Sequence, residues 1–201
     1  MSDLFVKICG LKTARDVDAA VEAGADAVGF VFAPGSPRTV DAATARELAA
    51  RVPGGVLTVG VFRGQSAAEV RRFAEESGVR GVQLHGEEEP ADFAALRAPG
   101  RTLLRATARR AERCGEYGED LLLLDAPDPG SGTPWNWGSA EFTAPAGRWL
   151  LAGGLHPGNV RAALEATGAW GVDVSSGVER ERGVKSPELI REFIEAARAV
   201  R

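Results

Sequence analysis

The sequence predicts a single (β/α)8 TIM barrel, in which eight parallel strands alternate with helices. The first observation is the alternation itself, because short apolar runs of strand character alternate with helix-like segments along the whole chain. Strands alternating with helices indicate βαβ units and a parallel sheet. The second observation is size, since about eight such pairs in 201 residues is the lower limit for this barrel. We therefore expect residues 1–201 to form one domain.

Eight stretches have the apolar character of strands that are buried on both faces, as in parallel sheets. They are Leu4–Cys9, Ala27–Phe32, Val56–Phe62, Val79–His85, Thr102–Ala106, Leu121–Asp125, Trp149–Ala152 and Gly171–Val174. The alternative architecture is an open, doubly wound sheet, which normally carries a glycine-rich dinucleotide fingerprint after its first strand. The segment Gly10-Leu11-Lys12-Thr13 is not such a fingerprint, so the barrel is favoured.

The segments between the strands carry helix start and stop signals. They are Thr13–Ala23, Asp41–Arg51, Ser66–Ser77, Pro90–Leu96, Pro157–Ala166 and Pro187–Val200. Thr13 suits a helix cap, and Pro157 suits a first helical turn because proline lacks the N–H that this turn leaves unpaired. The fifth helix, within Thr107–Glu119, is expected to be short or irregular because the segment is arginine-rich and contains two glycines.

Composition restricts the class of partner. The chain is 44% hydrophobic and 26% charged, with a formal net charge of −4, which is typical of globular proteins. It has neither the clustered basic residues of a nucleic-acid binder nor an apolar run near the roughly 20 residues of a membrane span. The first residues, Met1-Ser2-Asp3, lack the features of a signal peptide. We expect a cytoplasmic protein that binds neither nucleic acid nor membrane.

Residues that follow the strands of a (β/α)8 barrel share one face, where the active sites of this fold lie. Cys9 ends the first strand, and Lys7 lies on the same side of that strand by alternation. A nearby cation favours a thiolate, so we expect a functional thiol rather than a plain buried cysteine. Asp125 follows four leucines, where burial would raise its pKa and suit a general acid. A helix cap or a salt bridge at the rim is the alternative for Asp125.

The loops after strands seven and eight predict an anion site. Their sequences are Gly153-Gly154-Leu155-His156 and Asp173-Val174-Ser175-Ser176-Gly177. Glycines let the backbone approach a ligand closely, and a helix start after the loop adds a positive dipole end. These loops are the usual phosphate position in this fold. Tight turns are the alternative explanation, but both loops carry the signature together.

Other candidates are less specific. Arg38 lies in a rigid turn between Pro37 and Thr39, and a pre-organised guanidinium suits a planar carboxylate, although a surface arginine is the alternative. A glycine-rich loop at 130–137 follows strand six. No grouping of His, Cys and Asp has metal-ligand spacing, so no metal and no other cofactor is expected.

Together these motifs resemble the phosphoribosylanthranilate isomerase family of tryptophan biosynthesis. The resemblance covers nearly the whole chain, including Lys7-Ile8-Cys9-Gly10, Ser36-Pro37-Arg38, Gln83-Leu84-His85-Gly86, Leu124-Asp125, Leu151-Ala152-Gly153-Gly154-Leu155 and Val172-Asp173-Val174-Ser175-Ser176-Gly177-Val178-Glu179. It implies a cofactor-free Amadori rearrangement of a phosphorylated aminosugar, N-(5-phosphoribosyl)anthranilate, to 1-(2-carboxyphenylamino)-1-deoxyribulose 5-phosphate. It also implies a monomer.

The resemblance further implies residue roles. Asp125 would be the general acid that protonates the furanose oxygen and opens the ring to a Schiff base. Cys9, as thiolate, would be the general base that removes the C2 proton, and Arg38 would bind the anthranilate carboxylate. The phosphate would be cradled by Gly154, Ser175 and Ser176, in loops shaped by Gly153 and Asp173.

Other functions are less favoured. A histidine-pathway or dual-substrate phosphoribosyl isomerase belongs to a related barrel family, which has a carboxylate where this chain has Cys9 and a substrate with two phosphates. Another phosphate-binding barrel enzyme, such as an epimerase, would be supported by metal-type ligands at the strand ends. A barrel that binds a phosphorylated metabolite without turnover would be favoured by the loss of Cys9 or Asp125, and both are present.

Overall fold

In the computed structural model of the protein, eight parallel strands close into a barrel in chain order. The strands are β1 (Phe5–Cys9), β2 (Ala27–Val31), β3 (Leu57–Phe62), β4 (Gly81–Leu84), β5 (Thr102–Thr107), β6 (Leu121–Leu124), β7 (Trp149–Leu151) and β8 (Gly171–Val174). The barrel closes where β8 pairs with β1, with Gly171 opposite Phe5. The structure describes residues 4–108, 111, 113–126 and 142–200. The predicted barrel is confirmed.

Six α-helices are described, and most begin at the predicted caps. They are α1 (Ala14–Glu22), α2 (Ala42–Ala49), α3 (Ala67–Ser77), α4 (Pro90–Leu96), α5 (Val160–Thr167) and α6 (Pro187–Arg198). The Thr13 side chain accepts a hydrogen bond from the Asp16 amide at 3.2 Å, as expected of an N-cap. None of these described helices has both the length and the apolar character needed to cross a bilayer.

The expected start of α5 at Pro157 was wrong. The Asn159 side chain accepts from the His156 amide at 2.8 Å and donates to the Gly154 carbonyl at 2.9 Å. These two bonds hold the segment after β7 as a turn, and the helix begins only at Val160. Side-chain bonds of this kind compete with helix formation.

The described part of 107–120 contains no α-helix, in line with the expectation of a short or irregular fifth helix. Buried Glu119 organises the segment instead. Its carboxylate accepts from Arg105 Nε at 3.0 Å and from the Tyr117 amide at 2.8 Å. The Arg105 guanidinium also lies 4.2 Å from the centre of the Tyr117 ring. These contacts fix the chain as turns between β5 and β6.

Alternation along the strands separates the outer core from the barrel interior. Inward-facing side chains form small clusters at the barrel axis, such as Val59, Leu104 and Leu121 in one and Leu123 and Leu150 in another. The stacked rings of Phe5 and Trp170, with centroids 5.0 Å apart, pack against both clusters. These side chains therefore fill the lower part of the barrel interior, and a cavity lies above them at the carboxyl ends of the strands.

A short antiparallel hairpin after β8 was not predicted. A 3₁₀ turn at Ser176–Val178 leads into β9 (Glu179–Glu181) and β10 (Val184–Lys185). Gly183 turns the hairpin with φ +81°, and an added Cβ there would lie 2.9 Å from the Pro37 carbonyl oxygen. This close approach fixes the hairpin against the turn that carries Arg38.

Candidate active site

All eight predicted site residues line one cavity of about 190 Å³ at the carboxyl ends of the strands. They are Cys9, Arg38, Asp125, Gly153, Gly154, Asp173, Ser175 and Ser176. The same cavity is also lined by Gln83 and His85, to which no role had been assigned. The barrel brings these residues together because each one follows, or faces inward near the end of, its strand.

The Cys9 thiol lies beside a buried charge pair. Lys7 faces the same side of β1, is completely buried, and donates to Asp173 Oδ1 at 2.7 Å. Burial raises the pKa of the Cys9 thiol above its usual value, and Lys7 acts in the opposite direction without overcoming it. The expectation that Lys7 favours the thiolate gave the correct direction for one charge but missed the larger effect of desolvation.

The Lys7 ammonium is itself held by the Asp173 carboxylate. Burial alone lowers the pKa of Lys7, but Asp173 and the Cys9 sulfur raise it above its ordinary value. Asp173 therefore stabilises the buried ammonium of Lys7 inside the barrel, in addition to any part it has in shaping its loop. The arrangement keeps one positive charge next to Cys9, where it stabilises negative charge that develops on sulfur.

Asp125 lies directly after β6 with its side chain 12% exposed. Burial raises the pKa of its carboxyl group to about 6, against a hydrogen bond from the Ala126 amide to Oδ1 at 2.8 Å. Oδ2 lies 3.4 Å from His85 Nε2. Burial lowers the pKa of His85, so the imidazole is neutral at pH 7 and Asp125 has no cation there to hold it ionised.

Gln83 and His85 are cavity residues to which the sequence gave no specific role. Gln83 Oε1 and His85 Nε2 are buried without a hydrogen-bond partner among the residues that the structure describes. The 3.4 Å contact of His85 Nε2 with Asp125 is within ion-pair distance but lacks hydrogen-bond geometry. An unsatisfied buried polar atom is costly, so both atoms are suited to contacting a polar ligand. Their place at the end of strand four was the available signal.

Arg38 is held by an acid that the sequence did not link to it. Its Nε and Nη2 donate to the two oxygens of Glu179 at 2.6 and 3.0 Å. Burial by itself raises the pKa of Glu179, but Arg38 and Lys185 outweigh it and hold this pKa at about 2. Two cations and one carboxylate leave a net positive charge beside the cavity. That charge suits an anionic ligand group at Arg38, which lines the cavity.

The two predicted phosphate loops touch each other. An added Cβ on Gly177 would lie 1.7 Å from the Leu155 carbonyl oxygen, in the other loop. An added Cβ on Gly153 would lie 2.5 Å from the Ala126 nitrogen, in the segment that follows β6. Gly153 also has φ +82°, which favours glycine. The loop after β8 is followed by the 3₁₀ turn, and the helix expected after this loop, α6, begins at Pro187 as predicted.

Replacing Gly177 with Ala is expected to lower the free energy of unfolding by roughly 1–3 kcal/mol, because the new methyl group forces the two loops apart. It should also weaken binding of phosphate compounds. Gly55→Ala is the matched control, since a Cβ at Gly55 meets nothing within 4 Å. Chemical denaturation measures both variants, and equal stabilities for the two would contradict the close contact between the loops.

Two further predictions concern the glycine-rich loop after strand six and the binding of a metal ion. The glycine-rich loop at 130–137 lies outside the described residues. Across the described ranges, no group of three or more His, Cys, Asp or Glu side chains has an arrangement that could hold a metal ion.

Comparison with known proteins gives consistent matches. Residues 6–196 match the family model described as N-(5'phosphoribosyl)anthranilate (PRA) isomerase. The N-(5'-phosphoribosyl)anthranilate isomerase of Rubrobacter xylanophilus is 42% identical, over 96% of this chain and 98% of that protein. The crystal structure of TrpF from Jonesia denitrificans is 46% identical, with a TM-score of 0.88 and 98% of each chain covered.

A third match is a crystal structure of phosphoribosyl anthranilate isomerase in complex with reduced 1-(o-carboxyphenylamino)-1-deoxyribulose 5-phosphate. It is 34% identical to this chain, with a TM-score of 0.82, and covers 98% of this chain and 99% of its own.

Proposed function

The chain belongs to the N-(5'-phosphoribosyl)anthranilate isomerase family, and from this membership we propose that Asp125 and Cys9 are the acid and base of its reaction. The chain is an isomerase of tryptophan biosynthesis, converting N-(5'-phosphoribosyl)anthranilate to 1-(o-carboxyphenylamino)-1-deoxyribulose 5-phosphate. The observation that carries the proposed roles is that a carboxyl group with a raised pKa and a thiol beside the buried Lys7 line the same cavity.

The first step needs a proton donor. Asp125 protonates the furanose ring oxygen, the C1–O bond breaks, and the substrate nitrogen supplies the electron pair that forms the Schiff base. A pKa of about 6 is suited to this step, because a carboxyl group of ordinary acidity would carry almost no proton at neutral pH. The neutral imidazole of His85, 3.4 Å away, adds no positive charge that would expel the proton.

The second step needs a base on another part of the sugar. Cys9, as thiolate, removes the C2 proton of the Schiff base, and the resulting enolamine tautomerises to the ketone. The buried Lys7 ammonium supports the anionic form, while desolvation makes that anion a stronger base once it forms. Each proton transfer contributes on the order of 10²–10⁴ in rate.

Both ends of the substrate are anionic, and the cavity has a site for each. Arg38 binds the anthranilate carboxylate, while Glu179 fixes the Nε and Nη2 edge of its guanidinium. The phosphate is bound by Gly154, Ser175 and Ser176 in the two adjoining loops. Holding both ends places C1 and C2 between the acid and the base, and such orientation lowers the barrier.

The direct test is a fluorescence assay of the purified protein on freshly generated phosphoribosylanthranilate. We expect loss of substrate fluorescence far above the spontaneous rate, with formation of the carboxyphenylamino-deoxyribulose phosphate confirmed by mass spectrometry. The phosphoribosyl-aminoimidazole substrate of the histidine pathway is the comparison substrate, and we expect no turnover of it. A folded protein that does not accelerate the first reaction would contradict the proposal.

Replacing Arg38 with Met is expected to raise KM roughly 10- to 100-fold, because a charge-assisted contact to the substrate carboxylate is lost. The effect on kcat should be much smaller, since Arg38 does not touch the reacting atoms. Arg180→Met is the control, because Arg180 is an exposed arginine of the neighbouring hairpin. Steady-state kinetics separate KM from kcat, and an unchanged KM for Arg38→Met would remove this residue from carboxylate binding.

We also propose that the chain acts as a monomer. In support, the proposed acid, the proposed base, Arg38 and both phosphate loops of a single chain line one cavity. Sedimentation at the concentration of the kinetic assay tests this directly. An activity that falls on dilution together with dissociation of an oligomer would contradict it.

A further inference from the structure

Lys185 is buried beside the cavity, with its side chain 1% exposed, and all three of its N–H donors have acceptors. Nζ donates to the Ser175 carbonyl oxygen at 2.7 Å, to Ser175 Oγ at 3.2 Å and to Glu179 Oε1 at 2.9 Å. An ammonium group has three donors in a fixed tetrahedral arrangement. The side chain therefore joins the loop after β8 to the acid that holds Arg38.

Through Ser175, Lys185 is also connected to the backbone of Cys9, the proposed base. Ser175 Oγ accepts from Lys185 and donates its own proton to the Cys9 carbonyl oxygen at 3.2 Å. The Ser175 hydroxyl proton is therefore already used, and the backbone amides of this loop are left as the groups that meet phosphate. One buried ammonium thus fixes the loop in relation to the end of β1.

The contacts also extend to the cation at the other end of the site. The Glu179 carboxylate accepts hydrogen bonds from Lys185 Nζ, from Nε and Nη2 of Arg38, and from the Gly183 amide, the last at 2.9 Å. Without Lys185, the group of Arg38 and Glu179 would have no net charge. With Lys185, the group is positive by one charge, which favours an anion at Arg38.

We propose that Lys185 is a positioning residue that sets both the phosphate loop and the carboxylate-binding arginine of this isomerase. The inference rests on the proposed roles of Arg38 and Ser175, since it names the group that holds these two in register. Lys185 does not line the cavity, so it acts through its neighbours and does not touch substrate.

The test compares affinities at the two ends of the ligand. One probe is the reduced product without its carboxylate, which reports the phosphate end, and the other is the reduced product without its phosphate, which reports the carboxylate end. We expect Lys185→Met to lower the affinity for each probe roughly tenfold, and to lower kcat/KM on the order of 10²-fold. Arg182→Met on the exposed turn of the same hairpin is the matched control and should change neither.

Lys185→Arg separates positioning from a general effect on folding. It keeps the positive charge near Glu179, so binding at the carboxylate end should stay close to wild type. A planar guanidinium cannot direct three hydrogen bonds as an ammonium does, so binding at the phosphate end should still weaken. Loss at one end only is a result that a purely structural lysine would not produce.

The outcomes are distinct from those of the functional proposal. An active wild type with unchanged probe affinities in Lys185→Met, measured where circular dichroism shows it folded, would overturn the inference and leave the function intact. If Lys185→Met does not fold, Lys185→Arg decides. Equal changes in its affinity for the phosphate-end probe and for the carboxylate-end probe would overturn the inference. A wild type that does not accelerate the isomerisation would instead reject the function.

Discussion

Asp125→Asn is expected to lower kcat/KM on the order of 10²–10⁴-fold, because Asn keeps the shape of the side chain but has no proton to give to the ring oxygen. The Ala126 amide can still donate to the amide oxygen of the new side chain, so the loop should keep its conformation. The affinity for the reduced product, reduced 1-(o-carboxyphenylamino)-1-deoxyribulose 5-phosphate, should remain close to that of the wild type. A variant that keeps more than a tenth of the activity would exclude Asp125 as the acid.

The pH dependence gives a sharper test of the same residue. The ratio of kcat/KM between wild type and Asp125→Asn should be constant below about pH 6 and fall above it, as Asp125 loses its proton. Taking the ratio cancels the titration of Cys9 and of the substrate phosphate, which affect both proteins alike. A ratio that does not change between pH 5 and pH 8 would contradict the raised pKa or the acid role.

Asp125 should also affect stability, with a sign set by the same pKa. Its pKa in the folded protein, about 6, is higher than its ordinary value of 3.8. The native state therefore binds the proton more tightly, and the wild type loses stability as the pH rises from about 4 to above 6. The difference in free energy of unfolding between Asp125→Asn and the wild type should therefore move in favour of the variant by up to roughly 3 kcal/mol between pH 4 and pH 7.5. Urea denaturation at the two pH values measures this.

Cys9→Ser is expected to abolish most turnover, with kcat lowered on the order of 10²–10⁴-fold. A hydroxyl is close in size to a thiol but far less acidic, so the anionic base is not formed. The reduced product should bind with nearly unchanged affinity, because Arg38 and the phosphate loops remain in place.

Cys114→Ser is the matched control for this substitution. Cys114 is a half-buried thiol that packs near Glu119 and does not line the cavity. We expect wild-type kinetics from it. Wild-type turnover in Cys9→Ser would remove the thiol from the mechanism, whatever the behaviour of Cys114→Ser.

Most of the fold was predictable because it depends on local patterns. Apolar runs, helix caps such as Thr13 and the order of strands and helices are properties of short segments. The errors fell where side chains override such patterns, as Asn159 does in delaying α5. The hairpin before α6 was missed because its two strands, of three and two residues, are too short to leave a periodic signal.

The sequence by itself determined the barrel and the placement of the eight predicted site residues at one cavity, since closing eight parallel strands brings every strand end to one face. The tertiary structure alone decided the electrostatics. Lys7 and Asp173 are 166 residues apart in the chain, and Arg38 and Glu179 are 141 apart. Such pairs follow no local pattern. Burial, which raises the pKa of Cys9 against the nearby Lys7, depends on all the segments that pack around the thiol, so the contribution of Lys7 alone does not give the net pKa.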